Sequence, residues 1–176
     1  MTRQLLGFCL GCCLLALSPG REARAAEIPL RKPGLWEMKL VKTGSAFPEL
    51  TMQHCTDETT DRDMSTASSP LSKEICSRRD IQQTATGYVI DSVCSVAGAS
   101  MTSHSEVTGD FNSAYTVKTT AHSEGGALGS RDATTMIEAK WLGDCKPGQK
   151  PGDIVMPGGF RLNVRDAEKL KGLVPK

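Results

Sequence analysis

Once an N-terminal leader of 25 residues is set aside, four cysteines remain in this 176-residue chain: Cys55, Cys76, Cys94 and Cys145. An even number of cysteines in an exported chain predicts two disulfides and an oxidising compartment. Cross-links of this kind narrow the folds open to a small domain. They also remove the thiolates that a metal centre or a nucleophile would need.

The leader has the three parts of a secretory signal. Arg3 gives a positive start, and Leu5 to Leu17 is an apolar run of 13 residues. Pro19-Gly20 ends the helix, and Ala23-Arg24-Ala25 supplies the small-x-small pattern of a cleavage site. As a helix, 13 residues span about 20 Å, short of the roughly 30 Å of a bilayer core. Cleavage after Ala25 is therefore expected, and Cys9, Cys12 and Cys13 leave with the leader. Cys9-Leu10-Gly11 fits a lipidation signal poorly.

Residues 26–160 are then expected to form a single β domain, with 161–176 as a C-terminal tail. The leader holds Arg3, Arg21 and Arg24 against Glu22, a net of +2. The whole chain is +1, so the mature protein is about −1. That balance, with no basic cluster, argues against nucleic acid or an anionic membrane as partner. No later segment reaches membrane length, so no stable insertion is expected after cleavage.

Strand signals dominate the mature chain. Leu35 to Val41 alternates, with Trp36, Met38 and Leu40 on one face. Thr51 to Cys55 is a second short strand. Thr56 is placed to cap a short helix whose first turn holds Asp57 and Glu58. Cys76 to Thr84 and Tyr88 to Ser95 flank Ala85-Thr86-Gly87 as a hairpin. Met101 to Thr108 and Ala114 to His122 flank Gly109-Asp110-Phe111-Asn112-Ser113 as another. In Arg131 to Leu142, Ala133, Thr135, Ile137, Ala139 and Trp141 share one face. The expected fold is mainly β: an antiparallel meander of about seven strands, curled into a barrel or half-barrel to hide its edges. After Cys145 the pattern changes. Lys146 to Gly152 reads as a linker, and Asn163 is placed to cap a short helix through Leu170 in a loosely held tail. No internal repeat stands out.

The core is thin, with two Trp, two Tyr and three Phe in the mature chain, which is reason enough for a small exported domain to carry disulfides. Cys76 and Cys94 each lie nine residues from Ala85. In an antiparallel hairpin they face each other, which leaves Cys55 to pair with Cys145. Of the three possible connectivities this one is favoured.

Four features occur in order: Lys32-Pro33-Gly34-Leu35-Trp36-Glu37 opening the first strand, His54-Cys55-Thr56 ending the second, a Cys-bounded hairpin, and Trp141-Leu142-Gly143-Asp144-Cys145-Lys146-Pro147-Gly148 closing the last. Together they resemble the bacterial family known as domain of unknown function 3617, small exported proteins, over about Lys32 to Phe160. Such proteins often place Pro and an acidic residue after the capping Thr, where this chain has Asp57 and Glu58. The resemblance implies an architecture and a periplasmic address. It implies no activity.

No Gly-x-Ser-x-Gly turn presents a nucleophile. The carboxylates Glu37, Asp91, Glu106, Asp132 and Glu138 fall mostly on polar strand faces. An enzyme is not expected, and neither is a cofactor. His54, His104 and His122 accompany six mature methionines (Met38, Met52, Met64, Met101, Met136, Met156), a set whose softness suits Cu(I). However, the alternation puts Met101 and His122 on opposite faces, and no metal site is expected. Gly34-Leu35-Trp36 resembles the Gly-x-Trp that opens lipocalin-type barrels. The reading is thus an exported binding or accessory protein of the bacterial envelope, holding a small apolar ligand against Trp36 and Trp141. A structural adaptor for another envelope protein is the alternative, with periplasmic copper binding through Met and His behind it.

Overall fold

The structure is a computed structural model and describes residues 26–43, 49–64, 74–96, 98–126 and 129–166. The expected leader and the greater part of the expected C-terminal helix lie outside these residues. The seven strands foreseen from alternation are β1 (Gly34–Thr43), β2 (Leu50–Thr56), β3 (Cys76–Gln83), β4 (Gly87–Val96), β5 (Ala99–Asp110), β6 (Ala114–Gly125) and β7 (Arg131–Gly143). A helix, α1 (Glu58–Met64), follows β2. Two strands of three residues, β8 (Asp153–Val155) and β9 (Arg161–Asn163), complete the set.

All nine join one antiparallel sheet in the order β3-β4-β5-β6-β7-β1-β2-β8-β9. The meander from β3 to β7 is uninterrupted, and the β1–β2 hairpin docks on the far side of β7. The break in the sheet therefore falls between β2 and β3, where α1 intervenes. Among the described residues the sheet is open, as a half-barrel is and a closed barrel is not. Its β3 edge exposes Ser77, Arg78, Asp80, Gln82 and Gln83, a polar rim that discourages pairing with another chain.

Register sets the faces. Directly opposed residues share a face, so a row runs Tyr88, Val107, Val117, Ile137, Leu40, Leu50 across six strands. The next row is Gly109, Tyr115, Ala139, Met38, Met52, and the one beyond joins Trp141, Trp36, His54, Ile154 and Leu162. In the opposite direction the rows are short and hydroxylic: Ile90, Ser105, Thr119, Thr135, then Ser92, Ser103, Ala121, Ala133. This is the inner face. The outer face carries the complementary pairs Glu37 opposite Lys140 and Lys39 opposite Glu138.

Two expectations need correction. The cap of α1 is Asp57, one residue later than Thr56. Thr60 N donates to Asp57 Oδ1 (2.8 Å), and Asp57 N donates to Thr60 Oγ1 (2.9 Å). That reciprocal pair is a capping box with Thr in place of Glu. Thr56 stays on β2, its hydroxyl 3.2 Å from that of Thr60. The stretch after Cys145 is not a free linker. Gln149 N donates to Lys146 O and Asp153 N to Lys150 O, closing two turns, and Gly152 N donates to Cys55 O (2.8 Å), which ties the segment to β2. This seats β8 beside β2 and β9 beside β8. Asn163 does cap as expected, its Oδ1 accepting from Arg165 N at 3.0 Å.

Candidate functional site

The most buried part of the inner face is built around Trp36. Its indole is fully buried, and its Nε1 donates to Lys32 O (2.8 Å). The segment before β1 therefore folds back over the ring. A second bond fixes that segment, Lys32 N to Phe111 O (2.8 Å), at the β5–β6 turn. The Trp36 ring lies 5.6 Å from Tyr115, which stacks on Phe111 at 4.8 Å, and Phe111 meets Tyr88 edge-on at 6.2 Å. This aromatic chain crosses β7 and β5 where Ala139 and Gly109 leave room above the sheet.

A polar group is buried beside it. Arg31 and Asp61 are both buried and form an ion pair through Arg31 Nε and Asp61 Oδ1, while Arg31 N donates to Asp61 Oδ2 (2.7 Å). The Arg31 guanidinium stands 5.8 Å from the centre of the Trp36 ring, and its Nη1 points at Met38 Sδ (3.6 Å). Tyr115 Oη also points at Met38 Sδ (4.0 Å). Burial raises the Tyr115 pKa above its ordinary value, so the phenol is neutral. His54, opposite Trp36 on β2, has both ring nitrogens shielded from solvent and without a hydrogen-bond partner. Burial first, and the Arg31 charge second, lower its pKa to about 4, so it is uncharged at neutral pH.

Trp141 is the register partner of Trp36, on the same face. The two indoles nevertheless differ in environment. Trp141 is half-buried, its Nε1 donates to Pro33 O (3.1 Å), and Lys32 Nζ lies 3.5 Å from the ring centre. Gly34 explains why it fits. A Cβ at Gly34 would sit 2.7 Å from Trp141 Nε1, and its φ of +130° suits glycine alone. The Gly-x-Trp of the sequence thus supplies a seat for the second tryptophan as well as the first tryptophan itself.

The disulfides are Cys55–Cys145 and Cys76–Cys94. Cys55–Cys145 joins the end of β2 to the segment after β7 across 90 residues. Cys76–Cys94 closes the β3–β4 hairpin at the opposite end of the sheet. As structural cross-links, they belong to an oxidising environment of the kind met by exported proteins. No helix among the described residues is long and apolar enough to cross a membrane.

The three histidines do not converge. His54 is on the inner face, and His104 and His122 are on the outer one. Met101 opposes Ser123, and His122 opposes Thr102. Among the described residues no group of three or more His, Cys, Asp or Glu is arranged to hold a metal ion. The outer histidines instead bind carboxylates. His104 Nδ1 lies 2.8 Å from Asp91, and His122 Nδ1 lies 2.7 Å from Asp132 with Nε2 3.2 Å from Glu124. Those two bonds, with Asp132 first, raise the His122 pKa. Both histidines line an open depression of about 470 Å³. The sequence does hold a signal for this pair. Thr102-Ser103-His104-Ser105-Glu106 is nearly repeated as Thr120-Ala121-His122-Ser123-Glu124, a short internal similarity that antiparallel pairing turns into two matching constellations. The remaining carboxylates of note, Glu37 and Glu138, flank a second depression of about 420 Å³ on the same charged face.

The model of the family described as "Protein of unknown function (DUF3617)" matches residues 31–145, and the chain belongs to that family. The match begins at the buried Arg31 and ends at the disulfide-bonded Cys145, so β8 and β9 lie beyond it. No curated protein matches the chain. No solved structure matches it either.

Proposed function

We propose that this member of the family is a non-enzymatic, exported binding protein of the bacterial cell envelope, released into the periplasm by cleavage after Ala25. Its inner face holds a small apolar ligand with the half-buried Trp141 as the accessible contact, the expected partner Trp36 being covered by the segment 31–33. The observation that carries this reading is a gradient along that face. At one end Trp36, Val107 and Ala139 are at most 3% exposed. Toward the other end Ile90, Ser105, Thr119, Ala121 and Thr135 are only half-buried, although their side chains are short or aliphatic. Hydroxyls on this face are paired with one another, Ser92 with Ser103 and Ser105 with Thr119, so the methyl and methylene surface of these residues is open to an apolar cover.

Titration of intrinsic tryptophan fluorescence with fatty acids, isoprenoids and phospholipids tests the reading, with Trp36→Ala and Trp141→Ala alongside. A ligand contact predicts that Trp141→Ala weakens retention by more than its loss of stability accounts for. Indifference to every lipid leaves the adaptor reading ahead. That second reading is favoured by Phe160, 66% exposed beside the β9 edge, with Leu162 also exposed. A periplasmic pull-down that returns one stoichiometric protein, lost on Phe160→Ser, would establish it.

A further inference from the structure

The mature net charge of about −1 conceals a division along the chain. Residues 26–145 hold 11 Lys and Arg against 16 Asp and Glu, a net of −5, whereas residues 146–176 hold seven against three, a net of +4. The boundary coincides with the end of the family match at Cys145, so the cationic part is the one that adds β8 and β9. It also carries two of the three large apolar side chains exposed among the described residues, Phe160 at 66% and Leu162 at 36%. Phe160 follows the turn Pro157-Gly158-Gly159, whose glycines both have positive φ, so its ring stands at a tight tip. β9 is the last strand of the sheet, and its far edge is unpaired. The cations beside it keep their charge. Lys146 Nζ donates to Gln53 Oε1 (3.0 Å) and Arg161 Nη1 to Gly148 O (2.8 Å), both neutral acceptors. The carboxylate that Arg161 meets, Asp153, stands 3.8 Å away and already accepts from Lys150 N and Asn163 Nδ2.

We propose that this edge lies against an anionic lipid surface, with Phe160 and Leu162 entering the headgroup boundary and Lys146, Lys150 and Arg161 meeting the lipid phosphates. Strand alternation turns Phe160 and Leu162 to one face and Arg161 to the other. On an edge strand both faces reach a surface applied edge-on, which joins the apolar and the cationic groups in one contact. An acidic protein offers the same charge, but two exposed apolar side chains fall far short of the roughly 800 Å² that each partner of a specific protein complex buries. A bilayer surface needs no such area. There apolar anchors and charges add, each basic residue near the surface being worth about fivefold in affinity. The unpaired backbone groups of β9 limit the depth, because headgroups and water satisfy them and hydrocarbon does not. The contact is therefore peripheral, with no segment spanning the bilayer. It is independent of the apolar-ligand reading and competes with the adaptor reading for Phe160.

Flotation of the mature chain with vesicles of phosphatidylglycerol and phosphatidylethanolamine, against vesicles of phosphatidylcholine, tests the proposal at low and at physiological salt. The anionic vesicles should hold the protein at least about tenfold more tightly, and the difference should shrink as salt screens the charges. Phe160→Ser should weaken binding to them by about tenfold. Lys146→Gln combined with Lys150→Gln should weaken it by about 25-fold at low salt and remove most of the salt dependence. Circular dichroism reports whether each variant is folded, and should one fail to fold, the other decides. Equal binding to the two kinds of vesicle overturns the proposal. So does binding to anionic vesicles that survives both sets of substitutions, since another surface then carries it. No binding to anionic vesicles even at low salt also overturns it, and leaves Phe160 to a protein partner.

Discussion

The two ends of the inner face are made from the same strands and differ in almost everything else. At the Trp36 end, large side chains from β1, β4 and β6 interlock over Ala139 and Gly109, and the segment 31–33 and α1 close the top. At the Cys94 end, the rows are Ser92, Ser103, Ala121, Ala133 and Ile90, Ser105, Thr119, Thr135. Their contacts are hydroxyl to hydroxyl, Ser92 to Ser103 at 2.7 Å and Ser105 to Thr119 at 2.9 Å. Burial per residue scales with the apolar area available, so the second end contributes far less than the first. Tight packing is concentrated at one end of the sheet and the half-exposed surface at the other.

Perturbations at the first end should therefore exceed their counterparts at the second. The largest difference is expected from the disulfides. Loss of Cys55–Cys145, which closes 90 residues at the Trp36 end, should cost about 4–5 kcal/mol by chain entropy. Loss of Cys76–Cys94, which closes 18, should cost about 3 kcal/mol. Urea unfolding of the two Cys→Ala double variants measures both, and an inverted order would break the comparison.

Trp36→Ala should cost about 3–5 kcal/mol through the cavity it leaves. Trp141→Ala, at the half-buried neighbouring position, should cost about 2 kcal/mol, including its contact with Lys32. Thermal unfolding without ligand resolves the pair.

Acid distinguishes the inner face from the outer. The His54 pKa is depressed to about 4 in the folded state, so between pH 6.5 and 4 the unfolded chain binds more protons. Stability is full above pH 6.5 and falls by roughly 3 kcal/mol as pH drops through that window. His54→Phe should flatten this slope. The His122 pKa is raised, so its contribution is complete below pH 6.5 and is lost as pH rises through the raised value. Being exposed, it should give an alkaline slope too small to mask the acid one. Stability measured by chemical denaturation from pH 4 to 9 gives both signs.

The smallest effect belongs to the second end. Ser103→Val should change stability by no more than about 0.5 kcal/mol, because solvent reaches the Ser92 hydroxyl it leaves behind.

Much of this was legible in the sequence. The strands β1 to β7 match the alternating segments to within three residues at each end, and hairpin symmetry about Ala85 identified Cys76–Cys94. Alternation reports which face of a strand is the more covered, as in β5, where half-buried or buried residues alternate with exposed ones from Ala99 to Thr108. It has nothing to report for β8 and β9, which are three residues each and are held by the docking of Gly152 on Cys55 O. The break between β2 and β3 was equally invisible, since a barrel and this open sheet share the same local patterns. Within the site, Trp36 and Trp141 stood out as large residues in phase with their strands. Arg31 and Asp61 did not, because a charged residue in a loop and another on a short helix read as solvated. Only the path of the segment 31–33 across the sheet makes them a buried pair.

The placement of β1 between β2 and β7 has a consequence for biosynthesis. A chain made from its N-terminus can form the β1–β2 hairpin early, yet the other edge of β1 has no partner until β7 has been synthesised. Until then Trp36 and the β1 backbone amides remain open to whatever strand or chaperone meets them first, the situation in which β proteins fold slowly and aggregate. The three-strand ladders of β4–β5–β6 can assemble meanwhile. The last step of folding is then a capture: the arriving β7 places Trp141 over Gly34, and only after that do Cys55 and Cys145 come within reach of each other.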